Sequence, residues 1–364
     1  MDIPTFQKLL VTAVQKGASD IHLQVGAQPL LRVNGELMEV KFRPLTPVDT
    51  LAVAKEILSQ SIQQSTLESI SELDVSYSIE GYGRYRANIF RQRGSFGIVL
   101  RVIPITIGSF QELNLPPVLE NIAGLRRGLV LVVGATGNGK STTIASMVEY
   151  INTTRRSHIV TIEDPIEFLF KNNKSVISQR EVGSDTPSFS KATVAAMRQD
   201  PDVINIGEMR DVETVEVAIK AAETGHLVLS TLHTTDAVSS LARLIGFYSP
   251  DQEPGIRKRL SECLMAVIAL RLLPRKDLVG RVPAVEILRV TRTIQECIRD
   301  ASKTGDIPGH MEKGYELYGM QTFDSHLFRL VKENKVELEA AKLASNNPEV
   351  LERSIMLEGG HSPE

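Results

Sequence analysis

The residues of this sequence best suited to chemistry form a glycine-rich run that ends in lysine and serine. Residues 134–141 read Gly-Ala-Thr-Gly-Asn-Gly-Lys-Ser, which is the Gly-x-x-x-x-Gly-Lys-Ser pattern of a phosphate-binding P-loop. The apolar run 129–133 precedes it and a stretch compatible with a helix follows, so N–H groups at the helix start would face phosphate oxygens. This context predicts a nucleoside triphosphate site, for ATP in our interpretation, in contact with Gly134, Ala135, Thr136, Gly137, Asn138, Gly139, Lys140, Ser141 and Thr142.

Two side chains of this run have distinct predicted roles. Lys140 is expected to reach the β- and γ-phosphates, and the Ser141 hydroxyl is expected to bind Mg²⁺. The alternative is a glycine-rich turn between a strand and a helix that binds no ligand. The complete pattern with both flanking segments favours the nucleotide site over that alternative.

Carboxylates at the ends of two further apolar segments could complete a hydrolytic site. Hydrolysis needs a group that orients the attacking water and a carboxylate near the metal. Glu163 directly follows the apolar run 159–162 and is the predicted water-activating carboxylate, with Asp164 and Glu167 as supporting acids. Glu208 ends the next such segment and is the predicted Walker B carboxylate, in contact with Mg²⁺ through a water. The alternative for these acids is an ordinary role in capping turns or at solvated strand ends.

Two histidines flank another apolar segment, 227–231. His226 comes before this segment and His233 after it, and neither has the spacing of a metal ligand. A single histidine at a strand end usually has a structural role. Two together could instead sense the γ-phosphate, alongside the polar residues Thr231, Thr234 and Asp236.

The first part of the chain carries a surplus of arginines. Arg84 and Arg86 fall on one face of a predicted strand, because side chains alternate along a strand. Such arginines could form a solvated face, or some could reach a nucleotide held by a neighbouring domain or subunit. Both interpretations apply to Arg84, Arg86, Arg91, Arg93 and Arg101, whereas the arginines close to the predicted acids are Arg198 and Arg210.

These chemical groups require two kinds of supporting structure. Residues 1–103 alternate short helices with strands, including a hairpin at Asn34-Gly35, and predict a small α+β domain with an antiparallel sheet. Residues 104–108 form the predicted linker. Residues 109–290 alternate short apolar strands with helices, which predicts a doubly wound, mainly parallel sheet. Residues 291–364 are predicted to form a C-terminal helical segment.

Composition bounds the class of protein. The 364 residues are 42% hydrophobic and 23% charged, as in an ordinary globular protein of two or three domains. Apolar runs are short and the first residues lack the form of a signal peptide, so we expect a cytoplasmic protein. A net charge of −3 predicts no general attraction to nucleic acid. Cys263 and Cys297 are expected to be buried thiols.

The order of these motifs is more specific than any one of them alone. Together they resemble the type II/IV secretion ATPase superfamily, and most closely the PilT/PilU-type retraction ATPases of type IV pili. The resemblance extends over nearly the whole chain. It rests on the segments Gly17–His22, Gly134–Ser141, Ile162–Glu167, Pro201–Asp211, Ala222–His233 and Gly319–Asp324.

The resemblance implies a fold, an assembly and an activity. The fold would be a PAS-like N-terminal domain joined to a RecA-like ATPase domain, in a homo-hexameric ring with ATP at the cleft between domains. The activity would be Mg-dependent ATP hydrolysis that drives pilus retraction and twitching motility from the cytoplasmic side of the inner membrane. The implied partners are an inner-membrane pilus platform protein and a paralogous retraction ATPase, with no nucleic acid.

Residue roles also follow from the resemblance, position by position. Glu163 would be the catalytic base and Glu208 the Walker B acid, while His226 and His233 would form the His box. The arginines that related ATPases direct to the phosphates align with Arg86 and Arg101, with Arg84 as third choice. Assembly motors of the superfamily carry a zinc-binding cysteine tetrad and a further N-terminal domain. The sequence shows neither, which favours retraction over assembly.

Two groups of retraction ATPases remain possible. Gly134–Gly137 and Arg271–Pro274 look closer to PilU, whereas Gly207–Asp211 and His233–Asp236 look closer to PilT. The chain could therefore be the main motor or its accessory paralogue.

Two further functional alternatives remain. One is a related motor of type II secretion or competence. The other is a regulatory nucleotide-binding subunit that hydrolyses little, which the unusual Asn138 and Asn205 would suit. The intact Lys140, Ser141 and Glu163 argue against that regulatory interpretation.

Overall fold

The N-terminal part of the chain forms an antiparallel sheet with two helices. A computed structural model describes residues 1–33, 35–59, 71–79, 82–103, 106–277 and 280–359. The six strands lie in the order β3-β2-β1-β6-β5-β4. In chain order the elements of this part are α1 Ile3–Gln15, β1 Ala18–Leu23, β2 Leu30–Val33, β3 Glu36–Glu39, α2 Pro47–Ser59, β4 Glu72–Ile79, β5 Gly83–Gln92 and β6 Ser95–Ile103.

This first sheet is apolar on one face and polar on the other. Phe6 and Leu10 of α1 are buried in the same core as Tyr77 and Tyr85, which alternation along β4 and β5 places on one face. The predicted hairpin is confirmed in its strands, because β2 and β3 pair in antiparallel fashion. Asn34 itself lies outside the described residues.

The opposite face of this sheet carries a row of polar side chains across four strands. Arg86 on β5 is opposite Ser76 on β4 and Arg101 on β6, and Arg101 is opposite Asp20 on β1. Antiparallel sheets commonly pack one face and expose the other. Arg84, Arg86 and Arg101 therefore share a face because of strand alternation and register.

The second part of the chain forms a seven-stranded sheet in the order β13-β12-β7-β11-β10-β8-β9. The pairs β12–β7, β7–β11, β11–β10 and β10–β8 are parallel, and β12–β13 is antiparallel. Its strands are β7 Gly128–Val133, β8 His158–Glu163, β9 Val176–Glu181, β10 Val203–Ile206, β11 Leu227–Leu232, β12 Leu264–Pro274 and β13 Arg281–Arg289.

Helices cover this sheet and continue beyond it. Every residue of β7, β10 and β11 is buried, as expected for parallel strands covered on both faces. After β13 the described chain is helical, apart from turns. The helices are α3 Val118–Ala123, α4 Lys140–Thr154, α5 Phe189–Ala196, α6 Val212–Glu223, α7 Ala237–Ile245, α8 Glu253–Cys263, α9 Arg292–Arg299, a 3₁₀ helix at Ala301–Asp306, α10 Ile307–Lys313, α11 Tyr315–Tyr318, α12 Phe323–Lys332, α13 Leu338–Ala344 and α14 Pro348–Gly359.

The fold-class prediction of a mixed α/β chain with two kinds of sheet is confirmed. The alternation rule did not identify the long strands β12 and β13, because no helix separates them. Cys263 and Cys297 are both buried thiols, as expected. Among the described helices, none combines the length and the apolar character needed to cross a bilayer.

Two compact units can be distinguished along the chain. One comprises Met1–Thr106 together with Asp164–Phe170 and Glu181–Pro187, and the other comprises Ile107–Glu163, Lys171–Arg180 and Ser188–Glu364. No sequence pattern indicated that two short segments of the second half belong with the first unit. The domain boundaries drawn from the sequence stay predictions, and Pro104 and Ile105 of the predicted linker lie outside the described residues.

Candidate active site

The glycine-rich run forms a tight turn between β7 and α4. Gly134, Gly137 and Gly139 have φ angles of 146°, 81° and 86°, which residues with a Cβ rarely adopt. A Cβ on Gly134 would also lie 2.7 Å from the carbonyl oxygen of Leu270 on β12. The turn therefore needs glycine for two reasons, and its backbone amides precede the first turn of a 15-residue helix. This geometry fits a polyphosphate, because such a turn and helix start bind anions.

Lys140 places a positive charge inside this turn. It is the first residue of α4 and only 8% of its surface is exposed. Its Nζ donates to the carbonyl oxygens of Gly134 and Ala135, at 2.8 and 3.2 Å. The next residue, Ser141, is half-buried at the second position of the helix. The P-loop thus combines a buried ammonium, a nearby hydroxyl and the positive end of a helix dipole.

Strand order brings the predicted acids to the same edge of the sheet as the P-loop. The strands β7, β11, β10 and β8 are consecutive neighbours and all parallel. Their carboxyl ends are followed or formed by the P-loop, His233, Glu208 and Glu163, respectively. In doubly wound sheets this edge is where ligands bind.

Glu208 is held in a small polar cluster at this edge. Its side chain is buried, Oε2 lies 3.1 Å from His233 Nε2, and Oε1 forms an ion pair with Arg210. The backbone around Glu208 is tied to β11, because Thr231 Oγ1 donates to the Gly207 carbonyl at 2.7 Å. His233 and Arg210 therefore orient the Glu208 carboxylate.

Glu163 is oriented by two neutral donors. Thr161 Oγ1 and Gln179 Nε2 both donate to its Oε1, at 2.6 and 3.2 Å. Thr161 lies on the same strand, and Gln179 comes from β9 at the edge of the sheet. The predicted supporting acids, Asp164 and Glu167, are exposed and belong to the other compact unit.

The two predicted histidines lie at opposite ends of β11. His226 precedes the six-residue strand and His233 follows it, so about 20 Å of strand separates them. His226 Nδ1 lies 2.9 Å from the carbonyl oxygen of Ala221, at the end of α6. The fold brings His233 to Glu208 and leaves His226 at the opposite edge. One subunit does not bring both imidazoles to one phosphate, because the length of β11 separates them.

The polar residues near His233 have local roles in the structure. Asp236 is the N-cap of α7 and forms a reciprocal capping box with Ser239. Thr234 Oγ1 lies 2.6 Å from Ser240 Oγ in the same helix. These contacts fix where α7 begins, and thereby fix the segment that carries His233.

Three arginines of the first unit differ in their exposure and in their ion pairs. Arg84 is 20% exposed and its Nη2 lies 2.8 Å from Glu181 Oε2. Arg86 is 44% exposed, with Nε 3.6 Å from Asp74. Arg101 is 70% exposed and pairs through Nε with Asp20 at 3.0 Å. Arg86 and Arg101 are accessible on the polar face, whereas Arg84 is half-buried and pairs with the buried Glu181.

A cavity beside the P-loop was not anticipated from the sequence. It has a volume of about 320 Å³ and is lined by residues of the P-loop, α4, β12, β13 and the segment 112–115. Such a volume is in the range of small-molecule sites. Asn138 Oδ1 accepts a hydrogen bond from the backbone N–H of Leu272 at 3.4 Å, and Arg281 Nη1 donates to Gly137 O at 3.4 Å. The unusual Asn138 thus connects the P-loop to β12. The apolar lining residues Leu270, Leu272 and Pro283 did not indicate a binding site, because such side chains are common in core strands.

The chain is similar to known proteins over nearly its whole length. Residues 3–357 match the family described as type II/IV secretion system protein. The chain is 40% identical over 342 residues to the type IV pilus retraction ATPase PilT of Pseudomonas aeruginosa, covering 94% of this chain and 98% of that protein. It is 39% identical to the type IV pilus ATPase PilU of the same organism, covering 97% of this chain and 91% of that protein.

A solved structure supports the same relationship. The crystal structure of the pilus retraction motor PilT with bound ADP matches with a TM-score of 0.85 and 44% identity. The match covers 97% of this chain and 99% of that chain. Likeness therefore extends through both sheets and the helices that follow them.

Proposed function

Because this chain belongs to the type II/IV secretion system protein family, we propose that it is an ATP-hydrolysing motor of type IV pilus retraction. The observation that carries this proposal is the single sheet edge at which the P-loop, Glu163, Glu208 and His233 meet. A relative over nearly the whole chain is named a type IV pilus retraction ATPase, and another is named a twitching motility protein. We further propose a ring of six subunits on the cytoplasmic face of the inner membrane.

The P-loop binds the phosphates of ATP in this proposal. The glycine turn offers backbone N–H groups, and the buried Lys140 offers a positive charge that is drawn from the loop carbonyls to the β/γ-phosphates. The cavity beside Gly139 and Leu272 accommodates the nucleoside. These residues account for binding.

Ser141 and Glu208 would hold Mg²⁺, with Glu208 acting through a water. When bound, this ion neutralises charge on the phosphate oxygens and lines up the terminal phosphate. His233 and Arg210 keep the Glu208 carboxylate in one orientation, because each contacts a different carboxylate oxygen. A fixed carboxylate at this edge is what a metal-assisted hydrolase requires.

Glu163 is the proposed base that orients and deprotonates the attacking water. Its Oε1 accepts from Thr161 and Gln179, which holds the carboxylate group in one rotamer. A general base must be held within hydrogen-bond reach of the proton that it takes. One donor comes from the same strand and the other from the neighbouring strand β9, and both help to hold the carboxylate in place.

Arg86 and Arg101 are the proposed groups that reach a nucleotide in a neighbouring subunit. Both lie on the polar face of the first sheet, and their exposure leaves them accessible to another copy of the chain. Arginine supplied in trans stabilises charge that develops on the transferring phosphoryl group. His226 is retained as a His-box residue only through the family pattern, and its place at the other edge points to a subunit contact.

The accessory paralogue of the retraction motor is the second candidate function. Identity to PilT and to PilU differs by a single percentage point, 40% against 39%, so overall similarity does not separate the two. A type II secretion system protein E of Pseudomonas aeruginosa is more distant, at 30% identity. The proposed partners are a pilus platform protein of the inner membrane and a paralogous retraction ATPase.

Steady-state hydrolysis of Mg-ATP at several protein concentrations tests the proposed function. We expect specific activity to rise with concentration in the native chain and to vanish in Glu163→Gln, while both bind ATP. Negligible turnover at every concentration, with ATP still bound, would contradict the motor and support the accessory role. Loss of twitching with pili retained, after deletion of the gene, would then identify retraction as the process.

A further inference from the structure

One buried carboxylate that does not belong to the P-loop edge forms hydrogen bonds with several parts of the first unit. Glu181 is the last residue of β9 and is buried. Its oxygens accept from Ser76 Oγ at 2.7 and 2.9 Å and from Arg84 Nη2 at 2.8 Å. The backbone N–H of Ile166 donates to Oε2 at 3.0 Å. We call Glu181, Arg84, Ser76 and Ile166 the Glu181 cluster.

The Glu181 cluster joins three stretches of chain within one compact unit. Ser76 and Arg84 lie on β4 and β5 of the antiparallel sheet, and Ile166 lies in the segment Asp164–Phe170. The third stretch begins at Glu181 itself. A carboxylate removed from water is costly unless it is paired and hydrogen-bonded, so these contacts hold together as a set.

Two segments contact the antiparallel sheet in this cluster, one with Ile166 and one that begins at Glu181. Both are close in sequence to Glu163 or to its hydrogen-bond donor. Ile166 follows Glu163 by three residues. Gln179 precedes Glu181 by two residues, and its amide donates to Glu163 Oε1 at 3.2 Å. Because so few residues intervene, few soft φ and ψ angles are available to absorb a displacement at Glu181 or Ile166. The cluster is therefore linked to Glu163 by a short stretch of backbone and to its hydrogen-bond donor Gln179 by another.

We propose that Glu181 is a positioning residue that couples the antiparallel sheet to the catalytic Glu163, and that Arg84 is its partner within the same subunit. In this assignment Arg84 is not delivered to a neighbouring nucleotide, in contrast to Arg86 and Arg101. The inference rests on the proposed ATPase function, because it gives Glu181 a role only if Glu163 is the base. The pairing of the half-buried Arg84 with the buried Glu181 supports the distinction, since Arg86 and Arg101 are 44% and 70% exposed.

Loss of the cluster should change turnover and leave ATP binding intact. The P-loop residues take no part in the cluster, so KM for ATP is expected to stay within about twofold, whereas a misplacement of Glu163 by about 1 Å costs up to about 100-fold in rate. We expect kcat to fall at least about tenfold in Glu181→Gln and in Arg84→Gln.

A double-mutant cycle on kcat tests the coupling. If Glu181 and Arg84 act as one unit, the double variant has the same kcat as either single variant, since contacting residues are not additive. Asp49→Asn is the matched control, because Asp49 is a buried carboxylate of the same unit with a bidentate contact to Arg43 at 2.6 and 2.9 Å. It should lower the melting temperature comparably and leave kcat unchanged. Should Glu181→Gln fail to fold, Ser76→Ala removes one donor while keeping the ion pair, and a smaller loss of kcat at constant KM is expected.

Mixed rings separate a role within the subunit from a role in trans. Arg86→Ala subunits mixed with Glu163→Gln subunits should regain activity, because each supplies what its neighbour lacks. Arg84→Ala subunits mixed with Glu163→Gln subunits should regain none. Recovery in the Arg84 mixture, additive losses in the cycle, or unchanged kcat in Glu181→Gln would each overturn the inference. An inactive native chain would instead refute the proposed function, so the two failures are distinguishable.

Discussion

The two sheets of this protein present their chemical groups in opposite ways. In the doubly wound sheet, β7, β10 and β11 are buried along their whole length, and the functional groups lie just beyond the strand ends. In the antiparallel sheet, Arg86 and Arg101 lie within their strands and on one face. A strand covered on both faces has no room for exposed polar side chains, whereas a half-covered strand exposes every second one. The functional groups therefore lie at one edge of the doubly wound sheet, whereas those of the antiparallel sheet are distributed over one face.

This difference explains which groups could be identified from the sequence. Groups at the ends of buried strands follow apolar runs and form short motifs, as at Lys140 and Glu208. Groups on a half-exposed face are separated in sequence and have no shared motif. Their contacts depend on strand register, which places Arg86 opposite Arg101. Arg84 instead forms an ion pair with Glu181.

The largest expected effect concerns the strand-end groups. Lys140→Ala should abolish ATP hydrolysis because it removes the buried ammonium from the P-loop and weakens ATP binding itself. Binding of a fluorescent ATP analogue and steady-state turnover measure the two losses. Lys191→Ala, at an exposed position of the same unit, is the control and should behave as native. Native turnover in Lys140→Ala would mean that the P-loop edge is not the active site.

The arginines on the polar face of the antiparallel sheet should give the next largest effect, which lowers turnover and leaves ATP binding unchanged. Arg86→Ala is expected to lower kcat by about 10³-fold, as for arginines supplied in trans, while ATP binding to the isolated subunit is unchanged. Measuring kcat at a protein concentration that forms rings, and ATP affinity at a low concentration, separates the effect on turnover from the effect on binding. Arg91→Ala on the same strand is the control, since its guanidinium stacks on Phe96 at 4.8 Å. Equal losses in both variants would show that Arg86 acts through the stability of the sheet alone.

Glu286 is the exception in the doubly wound sheet, a carboxylate in the middle of β13. Burial raises its pKa to about 7, against an ordinary value of 4.5, although the Ala237 N–H donates to it at 2.8 Å. The folded chain therefore binds this proton more tightly than the unfolded chain. The stability it contributes is present below pH 4.5 and is lost as pH rises through 7. The loss is at most about 3 kcal/mol.

Urea unfolding at pH 5 and pH 8 measures this contribution of Glu286 to the free energy of unfolding. Glu286→Gln should be less sensitive to the change of pH than the native chain, and Glu349→Gln, at an exposed helix position, should match the native chain. An identical pH dependence in native and Glu286→Gln would show that Glu286 stays ionised in the folded state.

The smallest expected effect separates the two histidines of β11. His233→Ala should lower kcat about tenfold, because it removes one of the contacts that orient Glu208. His226→Ala should leave ATP binding to the isolated subunit unchanged, since it lies at the opposite edge. Any loss of turnover in His226→Ala should therefore depend on protein concentration. A loss of nucleotide affinity in His226→Ala at low concentration would contradict this placement.

The sequence by itself determined the P-loop, the acids after β8 and β10, and the alternation that indicates a doubly wound sheet. Each of these is local, because a glycine turn, an apolar run and a following acid are adjacent along the chain. Strand order, by contrast, is a long-range property. It was needed to bring Glu163, Glu208 and His233 together and to place His226 at the other edge.

Tertiary structure alone decided the cavity wall from β12 and β13, the role of Asn138 toward Leu272, and the Glu181 cluster. These depend on contacts between residues far apart in sequence, 134 positions for Asn138 with Leu272 and 97 for Arg84 with Glu181. No local pattern encodes such pairs, because neither partner is marked by its own sequence neighbours. Only the packing of strands against one another selects which arginine is buried with a carboxylate and which two remain accessible.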